Sequence, residues 1–160
     1  MNLIAAGIAI LLLVLLDQGS KVLVMHSISF QESIPVIPGF FNLTHLYNTG
    51  AAFGMLSDSN LFFMILSSVV LIALIVMRRH FAGKLMWTGW VLLIAGIIGN
   101  VADRMRIGHV VDFLDFQFGS YHWPSFNVAD SCICVAAALF LLSSFQSPSP
   151  SSAPPAKEPS

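Results

Sequence analysis

Two aspartates in apolar surroundings are the residues best suited to chemistry. Asp112 lies in the stretch HVVDFLDF, and Asp130 lies in FNVADS, just before an apolar run that holds no other charge. Two carboxyl groups that lie close together cannot both ionise at low cost, so one of them keeps a proton. The ionised group can draw a proton from water, and the protonated group can hydrogen-bond to a scissile carbonyl. If the chain folds so that they meet, the pair suits aspartic acid–base chemistry.

The composition indicates that these aspartates belong to a membrane protein. Of the 160 residues, 56% are hydrophobic and 9% are charged, and the mean hydropathy is +0.82. Soluble domains carry about 25% charged residues. The net charge of −1 argues against a nucleic-acid partner, because no basic surface is available to neutralise phosphates.

Four apolar segments are long enough, or nearly so, to cross a hydrocarbon core about 30 Å thick. They cover residues 3–25, 61–77, 85–101 and 128–145. The first lacks a basic n-region and a small-residue cleavage site, so it is predicted to be a retained helix. The loop RRHFAGK after the second segment carries three basic residues. This charge places the loop, and with it both termini, in the cytoplasm.

The sequence therefore predicts an all-α polytopic membrane protein with four transmembrane helices and a small β-structure on the extracytoplasmic surface. The transmembrane domain covers residues 1–146. We expect the β-structure in the first outer connection, residues 26–60, because IPVIPGFFNLTHLYN mixes turn residues with β-formers. In the second outer connection, residues 102–127, Asp115 is expected in a solvated loop. The Pro/Ser-rich tail, residues 147–160, is predicted to be a disordered cytoplasmic segment.

The other rare polar residues gather toward the outer side, where each is a candidate functional group. Asp17 and Lys21 are spaced i,i+4, which suits an ion pair on one helix face and leaves contact with a substrate open. Asn100 and Asp103 share a helix face, and Arg104 follows Asp103. A polar network that terminates the helix is the simplest role for Asp103.

Other polar features have plain structural explanations. Asn48 and Gly50 lie in NTGAAFG. A simple turn that needs glycine would show the same pattern. The five histidines show no ligand spacing, so no metal site is predicted. Cys132 and Cys134 are predicted to be packing residues.

Five motifs, in this order among the four spans, resemble those of lipoprotein signal peptidase, the type II signal peptidase of bacteria. They are DQGSK (17–21), NTGAAFG (48–54), GNVADR (99–104), VVDF (110–113) and FNVADS (126–131). The resemblance covers residues 3–145. It implies an intramembrane aspartic endopeptidase that removes the signal peptide of a prolipoprotein just before a diacylglyceryl-modified cysteine.

The resemblance also implies the site residues. It places the catalytic pair on Asp112 and Asp130. It assigns substrate-binding or site-supporting roles to a polar set: Asp17, Lys21, Asn48, Gly50, Asn100, Asp103, Arg104 and Asn127. No metal or cofactor is implied. The expected partners are the modified prolipoprotein, membrane lipid and globomycin-type inhibitors, and the expected form is a monomer. The expected location is the inner membrane of a bacterium, with the active site toward the periplasm.

Two other classes of protein are compatible with buried acids: a small transporter with a carboxylate relay, and a non-catalytic lipid-binding scaffold. A relay calls for polar residues spread through the bilayer. Here the second span is uncharged, and the charges of the other spans lie in their outer halves. A scaffold would tolerate conservative Asp→Asn changes.

Overall fold

The computed structural model describes residues 2–50 and 59–146, in which the chain forms four α-helices and a small antiparallel sheet. The helices are α1 (Leu3–Ser27), α2 (Asn60–Val76), α3 (Lys84–Ile107) and α4 (Val128–Gln146). The strands are β1 (Ser33–Ile37), β2 (Phe41–Asn48), β3 (Val110–Phe118) and β4 (Tyr121–His122). A 3-10 turn, Arg78–His80, follows α2. The predicted disordered tail and the part of NTGAAFG after Gly50 lie outside the described residues.

Three of these helices are long and apolar enough to cross a membrane: α1, α3 and the Val128–Phe145 part of α4. Helix α2 is more apolar than the other three but has only 17 residues. It is therefore about 26 Å long, a little short of a hydrocarbon core about 30 Å thick. The architecture fits the predicted membrane protein, and the crossing of the membrane by α2 stays a prediction.

Helix α3 is central, because it packs against each of the other three helices. Two of its glycines permit this close approach. A Cβ atom at Gly96 would lie 2.5 Å from the carbonyl oxygen of Ala129 on α4, and one at Gly99 would lie 2.7 Å from Oδ2 of Asp17 on α1. Small residues let helix backbones approach closely in membranes. The close packing of α3 against α4 and α1 therefore requires glycine at these two positions.

The sheet unites both outer connections, in the strand order β1-β2-β3-β4. Strands β2 and β3 are antiparallel, with Leu46 opposite Asp112 and Asn42 opposite Asp115. The strands predicted in the first connection are present. The solvated loop predicted around Asp115 is wrong, because Asp115 lies in β3 and is 8% exposed. Its carboxylate accepts a hydrogen bond from Asn42 at 2.9 Å, which compensates part of its lost hydration.

A substitution at Gly96 tests the packing of α3 against α4. We expect Gly96→Ala to destabilise the protein by about 1–3 kcal/mol. The added methyl group would clash with the backbone carbonyl of Ala129, which cannot shift unless α4 shifts with it. Thermal unfolding of the detergent-solubilised protein measures this as a lower Tm. The matched control is Gly7→Ala in α1, where a Cβ atom meets nothing within 4 Å. Equal Tm values for the two variants would contradict the tight packing.

Candidate active site

Asp112 and Asp130 meet at Asn127, the residue that precedes α4. The side-chain Nδ2 of Asn127 donates to Oδ1 of Asp112 at 2.8 Å, and its backbone N–H donates to Oδ2 of Asp130 at 3.2 Å. The backbone N–H of Asp130 donates back to Oδ1 of Asn127 at 2.9 Å. This reciprocal pair is the capping box of a helix N-terminus, here with Asn and Asp. The start of α4 therefore fixes both carboxyl groups.

Two further amides hold the remaining carboxyl oxygens. Asn48, at the end of β2, donates to Oδ2 of Asp112 at 2.9 Å. Asn100 in α3 donates to Oδ1 of Asp130 at 2.7 Å. Each of the four carboxyl oxygens thus accepts a hydrogen bond from a neutral donor. These four donors are neutral, so they orient the carboxyl groups without adding a positive charge of their own, and the nearby cations Lys21 and Arg104 act on the pair electrostatically.

The environment of Asp112 favours its protonated form. Burial, and then the negative charge of Asp130, raise the pKa of Asp112 to about 7. The hydrogen bonds from Asn48 and Asn127 and the charge of Lys21 oppose this rise. Because the two carboxyl groups interact, they titrate as a pair. Near neutral pH this pair can therefore supply one proton donor and one proton acceptor.

A buried ion cluster lies behind the carboxyl pair. Lys21 is 0% exposed, and its Nζ lies 2.8 Å from Oδ2 of Asp17 and 2.8 Å from Oδ2 of Asp103. It also donates to Oδ1 of Asn100 at 3.1 Å. An ammonium group has three donors, and these contacts use all of them. The ion pair that suits the spacing of Asp17 and Lys21 is present.

Gln18 belongs to this cluster and was not among the predicted site residues. Its Nε2 lies 3.1 Å from Oδ2 of Asp17 and 2.9 Å from Oδ1 of Asp103. The backbone N–H of Ala129 donates to the other oxygen of Asp17 at 2.8 Å. Thus α1, α3 and α4 are joined beneath the site. The sequence feature that indicates a role for Gln18 is its polar side chain next to Asp17 in an otherwise apolar span.

A cavity of about 580 Å³ opens beside the carboxyl pair. Its polar end includes Asp130 and Arg104, and Phe63, Ile97 and Ile133 from three helices line an apolar part. The guanidinium of Arg104 donates to the carbonyl oxygen of Gly50 at 3.1 Å, and its carbon lies 5.1 Å from the ring centroid of Phe63. Its Nε is buried without a hydrogen-bond partner among the described residues. The cavity can therefore accept an apolar chain with a hydrogen-bonding group at one end.

The structure brings the ten residues predicted from the sequence into one hydrogen-bonded network. They are Asp17, Lys21, Asn48, Gly50, Asn100, Asp103, Arg104, Asp112, Asn127 and Asp130. Gly50 joins through its backbone N–H, which donates to Oδ1 of Asn48 at 3.0 Å. Asp103 also accepts a hydrogen bond from the backbone N–H of Val111 at 3.3 Å, which ties α3 to β3.

Comparisons with known proteins find chains of similar sequence and a solved structure of similar fold. The sequence model of signal peptidase (SPase) II matches residues 9–146. A lipoprotein signal peptidase of Desulforapulum autotrophicum is 43% identical over 81% of this chain and 85% of its own. One from Nitratidesulfovibrio vulgaris is 41% identical over 92% of both chains. The fold matches a solved bacterial membrane enzyme at a TM-score of 0.83 and 34% identity, covering 89% of this chain and 88% of the other.

The electrostatic coupling of the two carboxyl groups can be measured directly. In the protein labelled with ¹³C at its aspartate carboxyl groups, we expect Asp112 to titrate near pH 7, and Asp130→Asn to lower that midpoint by removing a like charge. Carboxyl ¹³C chemical shifts against pH report both midpoints. Glu32→Gln, at an exposed loop position, should leave the midpoint of Asp112 unchanged. A midpoint of Asp112 at the ordinary value of 3.8, or a midpoint that Asp130→Asn leaves unchanged, would contradict the coupling.

Proposed function

The chain belongs to the signal peptidase II family, and on this basis we propose that it cleaves diacylglyceryl-modified bacterial prolipoproteins just before the lipid-bearing cysteine, with Asp112 and Asp130 as its catalytic residues. Proteolytic removal of signal peptides from prolipoproteins is the activity of this family. The observation that supports the aspartic mechanism is the pair of buried carboxyl groups joined by Asn127.

Hydrolysis then proceeds through both carboxyl groups. The ionised one takes a proton from water, and the water oxygen forms a bond to the scissile carbonyl carbon. The protonated one gives its proton to the carbonyl oxygen, which leaves a neutral tetrahedral intermediate. In the second step the first group gives its proton to the leaving nitrogen, the C–N bond breaks, and the second group recovers a proton from a hydroxyl. Both carboxyl groups end as they began.

The surroundings of the pair have matching roles. The apolar signal segment enters the cavity from the membrane, between side chains such as Phe63 and Ile133. Near the scissile bond the substrate is extended, because a helix would keep its carbonyl groups in internal hydrogen bonds. The unpartnered Nε of Arg104 supplies a donor for a substrate carbonyl oxygen. The acyl chains on the cysteine stay in the lipid.

The proposed arrangement in the membrane has four spans, including α2, within one domain of residues 1–146. The basic turn Arg78–His80 and Lys84 lie in the cytoplasm with both termini, and the carboxyl pair faces the periplasm of a bacterial inner membrane. The enzyme acts as a monomer without a metal or cofactor. Globomycin-type inhibitors bind in the same cavity. A transporter with a carboxylate relay is disfavoured, because the polar network is confined to one end of the helices.

Single substitutions test the catalytic assignment. We expect Asp112→Asn and Asp130→Asn each to slow cleavage of a diacylglyceryl-modified precursor by about 10²- to 10⁴-fold, because each variant keeps the shape but loses a proton donor or acceptor. Initial rates of the purified proteins at equal enzyme concentration measure the loss. Each variant should also be present in the membrane at the same level as the wild type. Glu32→Gln, on an exposed loop, is the matched control and should cleave normally. Normal cleavage by either Asp→Asn variant would refute the assignment.

The pH dependence of cleavage follows from the shared proton. The pKa of Asp112 is raised, so this group keeps its proton up to about pH 7 and loses it above. We therefore expect kcat/KM to fall as pH rises above about 7. A rate that stays constant well into the alkaline range, for a protein that remains folded, would contradict a mechanism with one shared proton.

A further inference from the structure

A second groove, of about 660 Å³, lies on the sheet outside the helices. Its walls come from the three strands β1, β2 and β3, from His122 in β4 and from the segment 123–125 that leads toward α4. Trp123, Pro124 and Ser125 also line the cavity beside Asp130. The groove and the cavity thus adjoin at this segment.

Strand β2 runs alongside this continuous path. Leu46 lines the groove, and Asn48, two residues further along the strand, lines the cavity and donates to Asp112. Residues two apart in a strand share a face. Asn42, which also lines the groove, lies six residues before Asn48, a separation of at most about 20 Å because the pairing of β2 with β3 is irregular between Leu43 and Leu46. An extended peptide beside β2 would cover this distance with about six residues.

From this continuity we propose that the groove binds the first residues of the mature lipoprotein, those that follow the modified cysteine. The inference rests on the proposed function. The signal segment is apolar and occupies the membrane side of the scissile bond, so the chain after the cysteine must leave on the side where the sheet lies. Among the described residues, the groove is a surface on that side that adjoins the cavity.

The lining of the groove defines a preference. Asp115 is its acidic residue, held by Asn42 at 2.9 Å and lying 3.3 Å from Nδ1 of His122. The described residues that line the groove include no lysine or arginine. Neutral polar side chains can hydrogen-bond there, whereas acidic side chains meet the negative charge of Asp115. Precursors with acidic residues directly after the cysteine should therefore bind more weakly.

Two precursors measure this preference. Both carry diacylglyceryl-modified cysteine; the next six residues are neutral and polar in one and include aspartates in the other. At physiological salt, which screens charges beyond about 8 Å, we expect KM of the wild-type enzyme to be about three- to fivefold higher for the acidic precursor, with similar kcat. Gln117→Lys, which adds a positive charge to the groove lining, should remove this difference.

Gln31→Lys is the matched control, because it adds the same charge at an exposed position outside the groove lining and should leave the difference in KM intact. Equal KM values for the two precursors, or equal effects of the two lysines, would overturn the groove assignment while cleavage itself still supports the proposed function. Failure of the wild-type enzyme to cleave either precursor would instead refute the proposed function, and the groove assignment with it.

A crosslink gives a second readout that does not depend on turnover. In the Asp112→Asn background, a photoreactive group at position 117 should attach to the segment that follows the cysteine in the bound neutral precursor. The same group at position 31 should attach to neither segment. Attachment at position 117 to the signal segment, or no attachment there, would overturn the assignment.

Discussion

The site depends on the burial of one ammonium group, that of Lys21. A charge removed from water is tolerated only when it is paired and hydrogen-bonded. Here Asp17, Asp103 and Asn100 occupy the three donors of the ammonium, and they come from two helices. Because Asn100 also holds Asp130, the position of the ammonium determines where one carboxyl group of the pair can lie. The glycine at position 99 lets α3 come close enough to Asp17 for this arrangement to form.

The second constraint is the start of α4. A helix N-terminus leaves backbone N–H groups without partners, and a capping side chain satisfies them. In this chain the capping residue, Asn127, has a second function, since its side-chain amide also holds Asp112 of β3. A structural requirement of the helix thus brings the two carboxyl groups together. Apolar surroundings then raise the pKa of Asp112 and let the pair share a proton near neutral pH.

Much of this could be predicted from the sequence. In a span with few polar residues each one is informative, and five short motifs in order along the chain, including those around Asp112 and Asp130, indicate the family. The positions of the helices followed from hydropathy. What could not be predicted were relations between distant segments. The pairing of β2 with β3 buries Asp115, and a local pattern does not show that its partner is Asn42. Gln18 was missed because its role depends on Asp103, 85 residues away.

The central claim is that Asp112 and Asp130 act as one unit held by Asn127. The most direct test is the cleavage rate of the double variant Asp112→Asn/Asp130→Asn beside each single variant, with one diacylglyceryl-modified precursor. Residues that act as a unit are strongly non-additive. We predict that the double variant is no slower than the slower single variant. Losses that multiply, so that the double variant is slower by the product of both, would show independent contributions and would contradict the account.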